Sequence, residues 1–207
     1  MLFEDTYLTI EKASEGIFKD KGSKFLAYAY PVASEEKIKE HLAELRKLHP
    51  SARHHCYAFR LGAAKQAFRA NDDGEPSNTA GKPILGQIQS KDLTNILIVV
   101  VRYFGGTLLG VSGLINAYKL AALDSIQNAN IIEKTVDEVY ELKFDYLQMN
   151  DVMKIIKDQH LQILHQNFEL NGELSFSVRK SNSTKMYDMF SKISNLEIEF
   201  IKKFKNC

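Results

Sequence analysis

The amino-acid sequence predicts an α+β protein of two domains. Short strand patterns alternate with amphipathic helix patterns over the first two thirds of the chain, and the last third has its own strand and helix order. With 207 residues, 44% hydrophobic and 26% charged, the composition is that of a globular protein with enough length for two cores. We place the domains at residues 1–133 and 134–207.

The first elements are a strand, a hairpin and a helix. Leu8 and Ile10 begin a strand pattern, and residues 17–30 form a hairpin pattern around a turn that contains glycine. Ser34 is placed to cap a helix, which Pro50 ends. The predicted apolar stripe of that helix consists of Ile38, Leu42, Leu45 and Leu48.

Residues 53–60 alternate as in a strand. His54 and Cys56 fall on one face and His55 on the other, so only two potential zinc ligands point the same way, whereas a structural zinc site needs four. Packing or polar lining is therefore the favoured interpretation. A role of Arg53 or His54 in binding stays open.

An acidic turn follows at residues 72–76. Asp, Asn and Gly are common turn formers, which favours a purely structural turn before Pro76. Alternatively, the three carboxylates of Asp72, Asp73 and Glu75 could hold Mg²⁺ or act as a general base.

The centre of the first domain is predicted at residues 77–123. A loop and short helix extend to residue 90, and the apolar run 96–101 predicts a strand covered on both faces. A helix follows from Gly110, and its apolar residues on nearly all sides predict a central helix. The residues at helical spacing are Val111, Leu114, Ile115, Tyr118 and Ala122.

Between that strand and helix lie Gly105 and Gly106. Arg102 and the nearby amides could bind an anion, or the glycines could form a tight corner while Arg102 makes a structural ion pair. The glycine spacing matches neither the nucleoside triphosphate loop nor the dinucleotide fingerprint. We therefore predict no cofactor.

The last third predicts β-α-β-β-α-β, the order of a ferredoxin-like domain. Strand patterns cover 139–145, 161–168, 173–179 and 196–200, and helix patterns cover 147–158 and the residues after 183. Asn171 and Gly172 favour a hairpin turn between the second and third strands.

Charge and cysteine content limit the cellular setting. The 27 basic and 26 acidic side chains nearly balance, but residues 45–71 contain no Asp or Glu, which allows a local basic surface. Cys56 and Cys207 lack the spacing of a metal or redox motif, and neither a secretory signal nor a membrane span is indicated. We expect a cytoplasmic protein with two free thiols, no metal site and no membrane partner.

Three motifs resemble those of the YigZ/IMPACT family: residues 53–58, 75–85 and 100–110. The resemblance implies that the first domain has a ribosomal-protein-like β-α-β layer, shared with elongation factor G and containing a left-handed crossover. It also implies that the second domain resembles a late domain of that factor. Eukaryotic members of the family regulate translation during amino-acid starvation by competing for an activator of the responding kinase.

We therefore expect a translation-associated protein that binds RNA, the ribosome or a translation-regulatory protein. An adaptor for an acidic peptide is a plainer alternative. A metal-assisted phosphoesterase is another, using Asp72, Asp73, Glu75 and Arg102 with His54 or His55 as acid or base. The candidate binding residues are Arg53, His54, Arg60, Lys65, Arg69, Asp73, Glu75, Lys82, Arg102, Tyr103, Phe104, Gly105 and Gly106.

Overall fold

The computed structural model describes residues 5–169 and 171–204, with side chains to residue 201. The chain divides into two compact units. The larger is formed by residues 7–133, and the smaller by residues 5–6 together with 134–204. Leu170 and Cys207, the second of the two predicted free thiols, lie outside the described part.

The elements follow the predicted alternation of strands and helices. In the first 135 residues they are β1 (Thr6–Ile10), β2 (Ser14–Asp20), β3 (Ser23–Pro31), α1 (Glu35–Leu48), β4 (His54–Leu61), β5 (Ala67–Asn71), α2 (Gly81–Ser90), β6 (Ile96–Tyr103), α3 (Gly110–Gln127) and β7 (Ile131–Thr135). The remainder contains β8 (Asp137–Phe144), α4 (Met149–Asp158), β9 (Gln162–Asn167), β10 (Gly172–Arg179), α5 (Ser183–Phe190) and β11 (Leu196–Phe204).

A five-stranded sheet with the order β2-β3-β6-β4-β5 organises the larger unit. Every neighbouring pair in it is antiparallel, so β3 and β4 run in the same direction on either side of β6, and α1 connects them. A separate two-stranded sheet pairs β1 with β7.

Strand β6 is buried on both faces, as its uninterrupted apolar sequence predicts. Ile96, Ile98 and Val100 join a core with residues of α2 and α3. Their neighbours Leu97 and Val99 join a second core with residues of α1. The prediction of a strand covered on both sides is therefore confirmed.

Helix α1 is capped as expected, since the Ser34 side chain accepts a hydrogen bond from the Lys37 amide at 3.4 Å. Ile38 and Leu45 are buried, but the expectation that Leu48 belongs to the same apolar stripe is wrong, because Leu48 is 65% exposed. It lies in the last turn of the helix.

The prediction that α3 is apolar and covered on nearly all sides also needs correction. Leu114 and Tyr118 are buried, but Val111 is 60% exposed and Ile115 is 38% exposed. The helix packs one side against β2, β3 and α2 and leaves the side near its N-terminus open.

The smaller unit contains a four-stranded sheet with the order β11-β8-β10-β9, again with antiparallel neighbours. Its core joins residues of this sheet to residues of α4 and α5, including Phe176 and Phe190. Arg179 forms two hydrogen bonds with the Asp5 carboxylate, at 2.6 and 3.0 Å. These bonds lower the pKa of Asp5 to about 2.

Among the described residues, no helix combines the length and apolar character needed to cross a membrane.

Candidate binding pocket

Two motifs that are distant in the sequence meet at one pocket because β4 and β6 are neighbours. In their register His54 lies opposite Arg102. A cavity of about 650 Å³ opens beside them. It is lined by Ser51, Arg53, His54, Arg102, Tyr103, Phe104 and Leu108. Five of these seven are candidate binding residues that the sequence analysis singled out.

Behind the pocket lies a buried ion pair. Arg102 Nη1 donates to Glu75 Oε1 at 2.6 Å, and the two side chains are only 7% and 4% exposed. The Tyr118 hydroxyl donates to the same carboxylate oxygen at 2.8 Å. The charge-assisted hydrogen bond offsets part of the cost of burying the two charges.

The Arg102 guanidinium also lies close to two aromatic rings. Its central carbon is 5.5 Å from the centroid of the Phe25 ring and 5.6 Å from that of Phe104. Both distances suit cation–π attraction. Arg102 Nε is buried without a hydrogen-bond partner among the described atoms. The guanidinium is therefore held by one carboxylate and two rings.

A buried thiol extends this network. Cys56 Sγ lies 2.9 Å from the Asp72 carbonyl oxygen and 3.3 Å from the Tyr118 hydroxyl oxygen. Burial raises the pKa of the Cys56 thiol and that of the Tyr118 phenol. Both groups stay protonated near neutral pH, so Cys56 is a hydrogen-bond donor in the core.

The three carboxylates of the acidic turn point to separate partners. Asp72 Oδ1 accepts from the Ala80 and Gly81 amides at 3.0 and 2.8 Å, at the start of α2. Asp73 Oδ2 accepts from the His55 amide at 2.7 Å. Glu75 faces Arg102 in the core, as described above.

This arrangement corrects the idea that the carboxylates of Asp72, Asp73 and Glu75 jointly hold Mg²⁺. In the described part of the chain, no three His, Cys, Asp or Glu side chains come together as a metal-binding set. The turn instead caps a helix, fixes the start of β4 and neutralises a buried arginine. Its structural interpretation is the better one.

The turn also orients a pocket residue. His54 Nδ1 lies 2.8 Å from the Asp73 carbonyl oxygen, and because a carbonyl only accepts, Nδ1 carries the proton. In the neutral ring, Nε2 is then the free acceptor.

Tyr103 is held by a histidine that the sequence interpretation did not single out. His49 Nδ1 lies 2.9 Å from the Tyr103 hydroxyl oxygen, and His49 Nε2 lies 2.9 Å from that of Tyr28. Burial lowers the pKa of His49. The sequence places His49 directly after α1 and before Pro50, which was the one feature that could have drawn attention to it. Only the fold brings the two tyrosines into contact with it.

The glycine corner is closed by backbone contact. A Cβ atom on Gly105 would lie 1.9 Å from the Gly22 carbonyl carbon, and the Gly105 amide donates to Ser23 Oγ at 3.1 Å. That amide is therefore already used, and Arg102 is paired with Glu75. Both facts support the tight structural corner over the anion site. Gly106 has a φ of 86°, a backbone conformation that favours glycine.

The remaining predicted residues lie apart from the pocket lining. Arg60 lies near the opposite end of β4, where its guanidinium and the Lys65 ammonium pair with Asp92. Arg69 is exposed on β5, and Lys82 is exposed in the first turn of α2. The acid-free stretch 45–71 therefore spreads over several surfaces.

The comparisons with known proteins agree on one family. The Impact N-terminal domain family matches residues 21–126. An IMPACT family member from Haemophilus influenzae is 36% identical over 176 residues, which cover 83% of this chain and 82% of the relative. YigZ from Escherichia coli is 34% identical over 151 residues, covering 72% and 74%.

Similarity extends over nearly the whole chain. YvyE from Bacillus subtilis is 27% identical over 190 residues, covering 92% of this chain and 88% of the relative. A crystal structure of a hypothetical protein matches with a TM-score of 0.74 and 27% identity, covering 97% of this chain and 99% of the other. The resemblance inferred from the sequence motifs is confirmed: the chain belongs to the IMPACT family, with YigZ and YvyE among its relatives.

Proposed function

We propose that this protein is a translation-associated regulatory protein that binds RNA, the ribosome or a translation-regulatory protein through the pocket between β4 and β6. Family membership supports the general class, since the resemblance implies translational regulation for eukaryotic members. The observation that carries the proposal is the meeting of residues 53–54 and 102–104 at one cavity.

The chemistry of the lining suits a partner with negative charge and an apolar or flat group. Arg53 is exposed and has no charged partner among the described side chains, and none of the seven lining residues is acidic. Phe104 is 56% exposed beside it. Exposed cations and aromatic rings together are typical of surfaces that contact phosphates and bases.

We also propose a fold for each of the two units. The strand order β11-β8-β10-β9 supports a ferredoxin-like smaller domain. The β3-α1-β4 connection around β6 supports the elongation-factor-G-like layer, for which we propose the left-handed crossover. We also propose that residues 1–133 and 134–207 act as separate domains.

The test is co-sedimentation of the purified protein with ribosomes from its own source, at two salt concentrations. The Arg53→Gln variant should bind more weakly and lose part of the salt dependence, because one fewer cation contacts phosphate. The matched variant is Arg69→Gln, which removes an exposed arginine outside the pocket.

The outcomes separate the possibilities. Loss confined to Arg53→Gln supports the pocket, whereas equal loss in both variants contradicts a binding surface confined to the pocket. Association that survives nuclease treatment of the ribosomes indicates a protein partner, as the adaptor alternative requires. No association of folded protein at either salt concentration contradicts the proposal.

A further inference from the structure

We propose that the pocket receives one unpaired nucleotide, with its base stacked on Phe104 and its phosphate at Arg53. This inference rests on the proposed function, since it names the chemical group bound at the same site. A free nucleotide and an unpaired nucleotide of an RNA strand share that chemistry, and the experiment below distinguishes them.

The stacking surface is prepared before any ligand arrives. The Phe104 ring lies within cation–π distance of the Arg102 guanidinium, which is also close to the Phe25 ring, and Glu75 fixes that guanidinium by a 2.6 Å hydrogen bond. Phe104 nevertheless stays 56% exposed. A ring that is already ordered loses little conformational freedom when a base stacks on it.

The polar side of the pocket suits a phosphate. Arg53 is exposed and has no partner among the described residues, and a guanidinium can bind phosphate oxygens in a bidentate manner. His54 lies next to it, with Nδ1 bonded to the Asp73 carbonyl and Nε2 available to a hydroxyl donor such as that of a ribose. The lining residues carry no negative charge that would repel the ligand.

The volume of the cavity is sufficient for a single unstacked nucleotide. Its volume of about 650 Å³ lies within the range of small-molecule sites. A base in a duplex is paired and stacked, so it cannot lie against Phe104 unless it is first unpaired. The neighbouring Leu108, which is 82% exposed, and Val111, which is 60% exposed, would suit an apolar protein side chain instead, and the test includes that outcome.

Fluorescence gives a direct readout because the sequence contains no tryptophan. Phe104→Trp keeps an aromatic ring at the platform and makes it the sole indole. We expect its fluorescence to be quenched by adenosine 5′-monophosphate and by single-stranded oligoadenylate, because both carry a base that can stack. Ribose 5-phosphate, which has no base, and a blunt RNA duplex should leave it unchanged.

The matched control is Phe68→Trp, since Phe68 is also 56% exposed but lies on β5, outside the pocket lining. Binding of radiolabelled nucleotide gives a second measurement in chains without tryptophan. Phe104→Leu should weaken it about 10-fold, in line with the loss of one base stack, and Phe68→Leu should not. Both positions are exposed, so circular dichroism should show native folding in each variant.

Each outcome decides the inference. Equal quenching of the two tryptophans, or nucleotide binding to Phe104→Leu as tight as to the parent, overturns it. If Arg53-dependent ribosome association persists while no nucleotide quenches Phe104→Trp, the nucleotide inference fails and the proposed function stands, with an apolar protein contact as the occupant. Tighter binding of the oligomer than of the monophosphate identifies the RNA strand, and equal binding identifies the free nucleotide.

Discussion

Replacing Glu75 by Gln would leave the Arg102 guanidinium buried without a counter-charge. The two side chains are 4% and 7% exposed and lie 2.6 Å apart, so little water can replace the lost carboxylate. Removing one partner of a buried ion pair costs about 3–5 kcal/mol. Gln keeps an acceptor for the Tyr118 hydroxyl, and the rings of Phe25 and Phe104 still attract the cation. We therefore expect a loss of about 3 kcal/mol, near the lower end of that range.

Urea unfolding followed by circular dichroism measures this loss, together with hydrogen exchange of the β6 amides, which reports on the larger unit. For a chain of this length, the melting temperature should fall by roughly 6–12 °C. The control is Asp92→Asn, which removes a carboxylate that is 59% exposed and pairs with Arg60 and Lys65, and which should cost about 1 kcal/mol or less.

A double variant tests the mechanism. Arg102→Met alone leaves the Glu75 carboxylate buried without its cation, so it should be as costly as Glu75→Gln. Combining the two changes removes both charges and should cost at least about 1 kcal/mol less than the sum of the single losses. A loss below about 1 kcal/mol for Glu75→Gln, or strictly additive effects, would refute the idea that charge burial governs this site.

Three further predictions concern the turn, the glycine corner and the histidines. Asp72→Ala removes the acceptor of three backbone amides at and before the start of α2. The free energy of unfolding, measured by urea denaturation, should fall by about 1–2 kcal/mol. Asp72→Asn keeps an acceptor oxygen and should restore part of the loss. Gly105→Ala places a Cβ 1.9 Å from the Gly22 carbonyl carbon and should cost about 2–3 kcal/mol in the same assay; an unchanged midpoint would contradict the close contact. Burial lowers the pKa values of His49 and His55 from 6.5, so the unfolded chain takes up these protons first and stability should fall as the pH drops below about 6.5. A variant with Gln at both positions should show a flatter pH dependence of unfolding.

Local sequence patterns predicted the elements that bury a regular set of side chains. The apolar run of β6 and the alternation of β4 both correspond to strands whose faces are buried as expected. Strand β5 was not predicted, because four of its five residues are exposed and give no apolar alternation. It forms through pairing with β4, which is a tertiary effect.

The sequence singled out residues that line the pocket, but it did not predict their contacts. Arg53, His54 and residues 102–104 were chosen as separate motifs, and only the register of β4 and β6 places them together. Glu75 was assigned to a carboxylate cluster, yet its partners Arg102 and Tyr118 are 27 and 43 residues away. No local rule indicates which distant cation a buried acid will meet.

The start of helix α2 also depends on a contact that local sequence rules do not predict. It begins after Ala80, whose side chain cannot cap it, and the prediction of this helix relied on glycine and proline near its start. The acceptor for its first amides is Asp72, eight residues before Ala80. Capping rules that look at adjacent positions cannot find such a contact.

The contacts of Arg102 with one carboxylate and two aromatic rings limit how related chains can diverge at these positions. A neutral residue at position 102 would leave the Glu75 carboxylate buried without a counter-charge. A neutral residue at position 75 would leave the Arg102 guanidinium in the same situation. Selection should therefore remove most single replacements at either position. Among relatives, exchanges at 75 and 102 should occur as pairs, and loss of the cation should release Phe104 to vary as well.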